Sequence, residues 1–245
     1  MATINALLFD FGGTLDGPLH WLDRFLAQYR AAGIEIGRAE LDPAFAQATR
    51  TGYGATKILT RFGLTDLVRF IVGHQFEYLR QSGPDKVRAI LEEGGAKGKH
   101  RLVEAITTSF VRETSAGLEH SREVIGALHG LFKLGVVSNF YGNLDRVLAD
   151  ARLDRFFAAV ADSSRVGVFK PDPGIFEFAL KKMHAGTAET AIIGDSLGKD
   201  CAPAMKLGLR AVWLRTDSSR PVPEGAELLP DFTIGSLDEV ARIQW

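Results

Sequence analysis

Polar side chains that can do chemistry stand at the ends of three short apolar runs of the chain. Asp10 and Asp195 each follow such a run, and Ser138 closes a third. Carboxylates and hydroxyls can bind cations or act as nucleophiles, so three of them at neighbouring strand ends indicate a shared site. Asp and Ser are also common helix N-caps, and this alternative stays open at each position.

Short apolar runs open the chain and, after Leu118, alternate with helical patterns. This alternation predicts an α/β fold with a parallel sheet that helices cover on both faces. In such a Rossmann-like sheet, ligands bind beyond the carboxyl ends of the strands, where the strand order switches. The predicted strands cover residues 4–10, 133–138, 157–161, 190–195, 211–214 and 232–234, with a further strand-like run at 166–169.

Residues 18–117 have a different pattern, in which apolar side chains recur at helical spacing. Trp21 and Phe25, for example, lie four residues apart, and Gly and Pro residues separate successive runs. This block is predicted to be an all-helical domain inserted into the α/β core. The predicted core therefore comprises residues 1–17 and 118–245.

The composition is that of an ordinary globular protein. The 245 residues are 46% hydrophobic and 24% charged, with a formal net charge of −1, which gives no reason to expect nucleic acid or an anionic membrane as a partner. Cys201 is the single cysteine, so an intramolecular disulfide is excluded and a reducing, cytoplasmic location is expected. No signal peptide and no apolar run of about 20 residues is visible, and the oligomeric state stays open.

Four ordered segments resemble the motifs of the haloacid dehalogenase (HAD) superfamily. They are Phe9-Asp10-Phe11-Gly12-Gly13-Thr14-Leu15, Val137-Ser138-Asn139, Lys170-Pro171-Asp172-Pro173 and Ile193-Gly194-Asp195-Ser196-Leu197-Gly198-Lys199-Asp200. Each segment is short, but together they occur in the family's order and at the expected strand ends. The inserted block resembles the family's helical C1 cap. The resemblance implies a Rossmann-like core whose site lies beneath an all-helical cap domain.

The resemblance assigns the role of nucleophile to Asp10. Its carboxylate is expected to attack phosphorus and form an aspartyl-phosphate, which water then hydrolyses. A Mg²⁺ ion is expected at Asp10, Asp195 and the backbone carbonyl of Gly12, because a cation offsets the repulsion between a carboxylate and a phosphate. Lys170 is expected to offset negative charge on the nucleophile and in the transition state.

The other motif residues receive supporting roles from the same resemblance. Ser138, Asn139 and Thr14 are expected to bind the phosphate group, and Asp200 is expected to orient the motif lysine or a metal-bound water. A small phosphorylated metabolite is the expected substrate, because a cap that closes over the site favours small molecules. The segment at residues 51–54 is predicted to be the cap loop that faces the site.

Position 12 departs from the usual phosphatase form of the first motif, which has a second Asp two residues after the nucleophile. Here Gly12 occupies that position, so the general acid and base expected there is missing. A group of this kind contributes about 10²–10⁴ in rate. One interpretation is a phosphohydrolase in which Asp16 or His20, just beyond the loop, replaces it.

Two other interpretations follow from the same departure. Phosphonate hydrolases of this superfamily have a small residue at this position and use a cap lysine, for which Lys57 is the candidate. A phosphate-binding protein that has lost turnover is the third interpretation. Haloacid dehalogenation is less favoured, because those relatives need no metal and lack the pattern found from Gly194 to Asp200. The leading prediction is a Mg²⁺-dependent phosphoester hydrolase.

Overall fold

A computed structural model describes residues 3–216 and 229–245 of the chain. Within these residues, six strands form one parallel sheet. They are β1 (Ala6–Phe9), β2 (Lys133–Ser138), β3 (Phe157–Asp162), β4 (Thr190–Gly194), β5 (Arg210–Leu214) and β6 (Phe232–Ile234). Each matches a predicted strand to within two residues at either end, so the predicted α/β sheet is confirmed.

Helices connect the strands. They are α1 (Trp21–Ala31), α2 (Arg38–Gly54), α3 (Thr56–Leu59), α4 (Leu64–Ser82), α5 (Asp85–Glu92), α6 (Gly95–His129), α7 (Leu144–Asp150), α8 (Ser163–Val166), α9 (Gly174–Met183) and α10 (Ala202–Lys206). The first six lie between β1 and β2, as the predicted insertion requires. Because α6 is continuous across position 118, the division into core and cap domains stays a prediction. Within the part of the chain described, no helix is both long enough and apolar enough to cross a membrane.

β1 lies in the middle of the sheet, which has the order β3-β2-β1-β4-β5-β6. The chain passes from β1 to β2 and β3 on one side and then to β4 on the other, so the strand order switches at β1. All four residues of β1 are buried, as expected for a strand that helices cover on both faces. Its carboxyl end therefore opens at the crevice where ligands bind in this class of fold.

One hydrophobic cluster joins a face of the sheet to the inserted helices. It includes Leu7 and Phe9 of β1 together with Phe25, Phe76 and Phe110 of the inserted helices. A second cluster covers the opposite face of the sheet. Because the first cluster is shared, the helical block packs directly on the sheet and can contribute side chains to a site at the strand ends.

The strand-like run predicted at residues 166–169 is wrong. α8 ends at Val166, and a turn follows it. The Asp162 carboxylate accepts a hydrogen bond from the Ser164 N–H at 3.0 Å and thereby caps α8. Val166 and Val168 pack against the second hydrophobic cluster, which accounts for the apolar pattern without a strand.

A buried ion pair ties the loop after β1 to the helical block. Asp16 Oδ1 accepts a hydrogen bond from the Gly13 N–H at 2.7 Å, and Asp16 Oδ2 accepts hydrogen bonds from Trp21 Nε1 and, at 3.2 Å, from Arg24. Arg24 also donates to Thr114 Oγ1 of α6 at 2.7 Å. Burial raises the pKa of the Asp16 carboxyl, and the Arg24 charge together with these hydrogen bonds acts against that rise.

We expect Asp16→Asn to lower the melting temperature by roughly 6–20 °C, because it removes the buried counter-ion of Arg24 and leaves only the partly exposed Glu113 carboxylate, 3.6 Å from Arg24 Nε. Breaking a buried pair in this way costs about 3–5 kcal/mol. Thermal unfolding followed by circular dichroism measures the change. Glu77→Gln is the control, since its ion pairs with Arg80 and Lys99 are exposed and their loss should shift the transition by about 4 °C at most. Equal effects of the two substitutions would contradict the structural role of the buried pair.

Candidate active site

Three carboxylates and one ammonium group meet beyond the carboxyl ends of β1 and β4. Among the described residues, Asp10, Asp195 and Asp200 each place an oxygen within 4.8 Å of the other two. Lys170 Nζ donates a hydrogen bond to Asp10 Oδ1 at 2.7 Å and another to Asp200 Oδ1 at 2.6 Å. Residues from three separate sequence motifs therefore form one cluster.

The loop after β1 brings Asp10 close to Asp195. The Asp10 N–H donates to the Ile193 carbonyl of β4 at 2.9 Å, which continues the sheet pairing past the end of β1. Gly13 follows in the left-handed region, with a φ of +82°. A Cβ at Gly13 would lie 2.5 Å from Asp195 Oδ2, so the loop needs glycine here both for its backbone angle and for this close approach.

Asn139 and Asp200 hold Lys170 from two sides. The Asn139 side chain accepts a hydrogen bond from the Lys170 N–H at 2.7 Å and donates one to the Lys170 carbonyl at 2.9 Å. Asp200 is fully buried, and its Oδ2 accepts a hydrogen bond from the Ser196 N–H at 3.0 Å while Oδ1 faces the ammonium. The Asn139 amide, expected to bind phosphate, is thus engaged with the backbone of Lys170 in this structure.

The cluster contains more negative than positive charge. Burial raises the pKa of Asp195, and the neighbouring Asp10 and Asp200 carboxylates raise it further. Burial also raises the pKa of Asp200, although Lys170 acts in the opposite direction. Burial alone would lower the pKa of Lys170, but Asp10 and Asp200 outweigh burial and hold it above its ordinary value. A divalent cation fits this set of donors, because carboxylate oxygens are the ligands that hard cations prefer and its charge offsets the excess.

A cavity of about 630 Å³ borders the cluster. The insertion and the segment leading into it supply part of the wall through His20, Trp21, Arg38, Phe45, Thr49 and Tyr53. The segment at residues 51–54 is not a loop as predicted, since it forms the last turn of α2. Tyr53 is nevertheless on the cavity wall, where this segment was expected to face the site.

Two of the residues expected to bind phosphate differ in their position. Ser138, at the end of β2, is buried and lines the cavity beside the cluster. Thr14 is also buried but does not line the cavity, and its Oγ1 has no hydrogen-bond partner among residues 3–216 and 229–245.

Asp16 and His20, the two candidates to replace the acid and base, lie in different surroundings. Asp16 is fully buried in the ion pair with Arg24 and does not line the cavity. His20 lines the cavity, and its Nδ1 accepts a hydrogen bond from the Leu22 N–H at 3.2 Å as the N-cap of α1. In this contact, Nδ1 of His20 acts as the acceptor.

Of the two residues at issue in the phosphonate interpretation, Gly12 borders the cavity and Lys57 does not. Gly12 lies on the cavity wall with a φ of −75°, and a Cβ there would lie 3.7 Å from Trp21 Nε1, an ordinary contact. A side chain at this position therefore requires no backbone strain. Lys57 is exposed on α3 and does not line the cavity, so the structure does not bring it to the cluster.

Asp162 is a buried carboxylate that the four sequence motifs do not include and that supports the site without lining the cavity. Its carboxylate accepts hydrogen bonds from the Gly142 N–H at 2.8 Å and from the Leu144 N–H at 3.1 Å. These bonds fix the loop after β2, which carries two aromatic rings to the cavity wall. Asp162 is the last residue of the apolar strand β3, much as Asp10 directly follows β1. A carboxylate at the end of an apolar strand is the sequence signal that could have identified it.

Comparison with known proteins gives a family for this arrangement. A family model described as haloacid dehalogenase-like hydrolase matches residues 4–208. Phosphoserine phosphatase of Thermus thermophilus is 35% identical over 170 residues, which cover 65% of this chain and 65% of that protein, just under two thirds of its length. Pyrophosphatase PpaX of Listeria monocytogenes is 30% identical over 250 aligned positions, covering 98% of this chain and 96% of the relative.

A solved structure shares the fold over almost its whole length. The crystal structure of a dehalogenase with an intermediate complex has a TM-score of 0.64 and 17% sequence identity, and the match covers 99% of this chain and 97% of that one. At this identity the likeness concerns the fold alone. It agrees with a Rossmann-like core that carries a helical cap.

We expect Lys170→Met to destabilise the fold by about 3–5 kcal/mol near neutral pH, because buried carboxylates lose their counter-charge. Without the ammonium, the pKa of Asp200 rises further above its unfolded value. The folded state then retains a proton that the unfolded chain loses, so the variant becomes less stable as pH rises from about 4. Urea unfolding at pH 5 and pH 7.5 measures this effect.

The deficit of Lys170→Met relative to wild type should be smaller at pH 5 than at pH 7.5. Lys181→Met is the matched control, because Lys181 is exposed on α9 and should show little change at either pH. A deficit that does not depend on pH would contradict the electrostatic account of the cluster.

Proposed function

The chain belongs to the haloacid dehalogenase-like hydrolase family, and on this premise we propose that it hydrolyses small phosphorylated metabolites with Mg²⁺. The observation that carries the proposal is the cluster of Asp10, Asp195 and Asp200 around Lys170. It combines a nucleophile, donors for a hard cation and a fixed positive charge, which phosphoryl transfer requires. The names of the two relatives, a phosphoserine phosphatase and a pyrophosphatase, support phosphorus chemistry.

Asp10 is the proposed nucleophile. One of its carboxylate oxygens forms a bond to phosphorus as the bond between phosphorus and the leaving oxygen breaks, which gives an aspartyl-phosphate. Lys170, 2.7 Å from Asp10 Oδ1, stabilises negative charge on the phosphoryl oxygens, and Asp200 keeps the ammonium in that position. Water then attacks phosphorus, releases inorganic phosphate and restores the Asp10 carboxylate.

Asp10, Asp195 and the Gly12 carbonyl are the groups proposed to hold Mg²⁺. The ion would supply Lewis-acid charge that lets a phosphate approach the carboxylates. Haloacid dehalogenation does not account for three clustered carboxylates, and this favours a phosphoryl substrate. A phosphonate reaction through Lys57 has no support from its exposed position, and a phosphate-binding role without turnover remains the competing outcome.

We expect Asp10→Asn to lower phosphate release from a panel of phosphomonoesters by at least about 10³-fold, because the amide is a poor nucleophile. Release of inorganic phosphate in the presence of MgCl₂ measures turnover. Glu77→Gln lies on α4 outside the cavity and should retain the wild-type rate. Equal release by Asp10→Asn and wild type would contradict the proposal. Absence of release from wild type would favour the binding role.

We expect Asp195→Asn to raise the melting temperature of the metal-free protein and to abolish the further rise that Mg²⁺ causes in wild type. Its pKa is raised in the fold, so the folded state binds a proton that the unfolded chain has lost. That linkage makes the metal-free wild type less stable as pH rises above about 4, and the substitution removes it. Differential scanning fluorimetry with and without MgCl₂ measures both effects.

The Mg²⁺-dependent rise in wild type should be larger at pH 8 than at pH 5.5, since protons compete with the ion for Asp195. Glu77→Gln again serves as the control and should respond to Mg²⁺ as wild type does. A full Mg²⁺ response in Asp195→Asn would exclude Asp195 as a ligand.

A further inference from the structure

The loop after β1 places no second carboxylic acid beside the leaving group. Gly12 has no side chain, and the Asp16 carboxylate is buried against Arg24. His20 lines the cavity, but its Nδ1 is already engaged with the Leu22 N–H at 3.2 Å as the N-cap of α1. These residues therefore favour a leaving group that departs as an anion.

The acidity of the leaving alcohol decides whether such a departure is fast. A phenol has an ordinary pKa of about 10, as in a tyrosine side chain. Water, close in acidity to aliphatic alcohols, has a pKa of about 15.7. A phenolate is therefore a far better leaving anion than an alkoxide, and a site without a general acid retains the greatest part of its rate on aryl phosphates.

The cavity wall has the aromatic surface that a phenol requires. Phe45, Thr49 and Tyr53 are spaced four residues apart on α2, so they share one face of the helix, and all three line the cavity. At 1.5 Å per residue, the stripe from Phe45 to Tyr53 is about 12 Å long. Its polar groups are only the hydroxyls of Thr49 and Tyr53, so the two aromatic rings make up most of its surface.

The adjoining part of the wall is also aromatic, and its rings contact one another. Trp21 contacts Phe140 and Tyr141 with ring centroids 6.0 and 6.3 Å apart. Tyr53 stacks on Tyr141 at 5.2 Å, so the two walls meet at this pair. Burial, together with the neighbouring Tyr141, Asp162 and Asp10, raises the pKa of Tyr53 and keeps its hydroxyl uncharged. A ring bonded directly to the reacting oxygen can contact these walls while its phosphate is at the cluster.

We propose that the natural substrates are aryl phosphates, phosphate monoesters of a phenol whose ring packs against the aromatic surface formed by Tyr53, Trp21 and Tyr141. This inference rests on the proposed phosphatase function and specifies its substrate class. The Asp10 oxygen bonds to phosphorus, and the electron pair of the breaking bond goes to the phenolic oxygen. The phenolate takes a proton from solvent after it leaves. Water next attacks the aspartyl-phosphate, and its proton passes to a phosphate oxygen.

The first test measures how kcat/KM depends on the leaving group. With MgCl₂, a series of substituted phenyl phosphates spanning acidic to weakly acidic phenols is compared with benzyl phosphate and glycerol 3-phosphate. The structure predicts a steep fall in kcat/KM as the leaving-group pKa rises, and very low values for the two aliphatic esters. A flat dependence, with the aliphatic esters cleaved as fast as phenyl phosphate, would overturn the inference, because fast loss of an alkoxide requires a proton donor.

Gly12→Asp distinguishes a missing acid from other causes of that slope. The new Cβ fits in ordinary contact with Trp21, so the variant should fold. Its kcat/KM should rise by about 10²–10⁴-fold for benzyl phosphate and change far less for 4-nitrophenyl phosphate, whose phenolate needs no proton. An equal change for both substrates would contradict the missing acid as the cause.

A second comparison tests recognition of the ring. Acetyl phosphate has a good leaving group but no ring, so the ratio of kcat/KM for 4-nitrophenyl phosphate to that for acetyl phosphate reports contacts with the aromatic walls. Tyr53→Leu should lower this ratio by between about 5-fold and 140-fold, the range expected for loss of one stacking contact. Tyr78→Leu, on α4 outside the cavity, is the matched control and should leave the ratio unchanged.

The outcomes separate the two proposals. A ratio that Tyr53→Leu leaves unchanged, or turnover of O-phosphoserine that exceeds turnover of phenyl phosphate, overturns the aryl phosphate inference and leaves the phosphatase function standing. Absence of Asp10-dependent release from every substrate, including 4-nitrophenyl and acetyl phosphates, overturns the proposed function itself and the inference with it.

Discussion

The buried ammonium of Lys170 is the interaction on which the rest of the site depends. Three carboxylates repel one another strongly in buried surroundings, and Lys170 offsets part of that repulsion at 2.7 Å from Asp10 and 2.6 Å from Asp200. The parallel sheet makes the contact possible, because strand ends far apart in sequence meet at one edge. The Asn139 side chain then holds the backbone of Lys170, and Gly13 lets the first loop approach the carboxylates.

In the usual phosphatase motif, one loop supplies both the nucleophile and the acid that protonates the leaving group. With Gly12 in place of the second aspartate, this loop supplies only the nucleophile. The nucleophile and the charged groups around it are present, whereas the loop after β1 has no side chain at position 12 to transfer a proton to the leaving group. Asp16 does not take over that task, because its charge is neutralised by Arg24 and anchors the loop to the helical block. The fold therefore uses the Asp16 carboxylate to stabilise the contact between the loop and the helical block. The rate then depends on how readily the substrate's leaving group departs as an anion.

The sheet and the cluster could be predicted from sequence, and the finer contacts could not. Apolar runs give the strands because a strand covered on both faces must be apolar throughout, and the four motifs identify the clustered residues. The bond of Asn139 to the Lys170 backbone depends on how two loops meet, which no local pattern records. Asp16 and His20 lie four residues apart, yet one is buried against an arginine and the other lines the cavity. The sequence also did not predict that the face of α2 carrying Tyr53 lines the cavity, since helical spacing shows that residues share a face but not what that face contacts.

The most direct test of this account is chemical trapping of the covalent intermediate on Asp10. Wild-type protein is mixed with MgCl₂ and 4-nitrophenyl phosphate, quenched in acid during turnover, reduced with borohydride and digested for peptide mass spectrometry. An aspartyl-phosphate is reduced to homoserine, so the account predicts homoserine at position 10 and at no other aspartate. Turnover that leaves Asp10 unmodified, or that places homoserine at another aspartate, would contradict it.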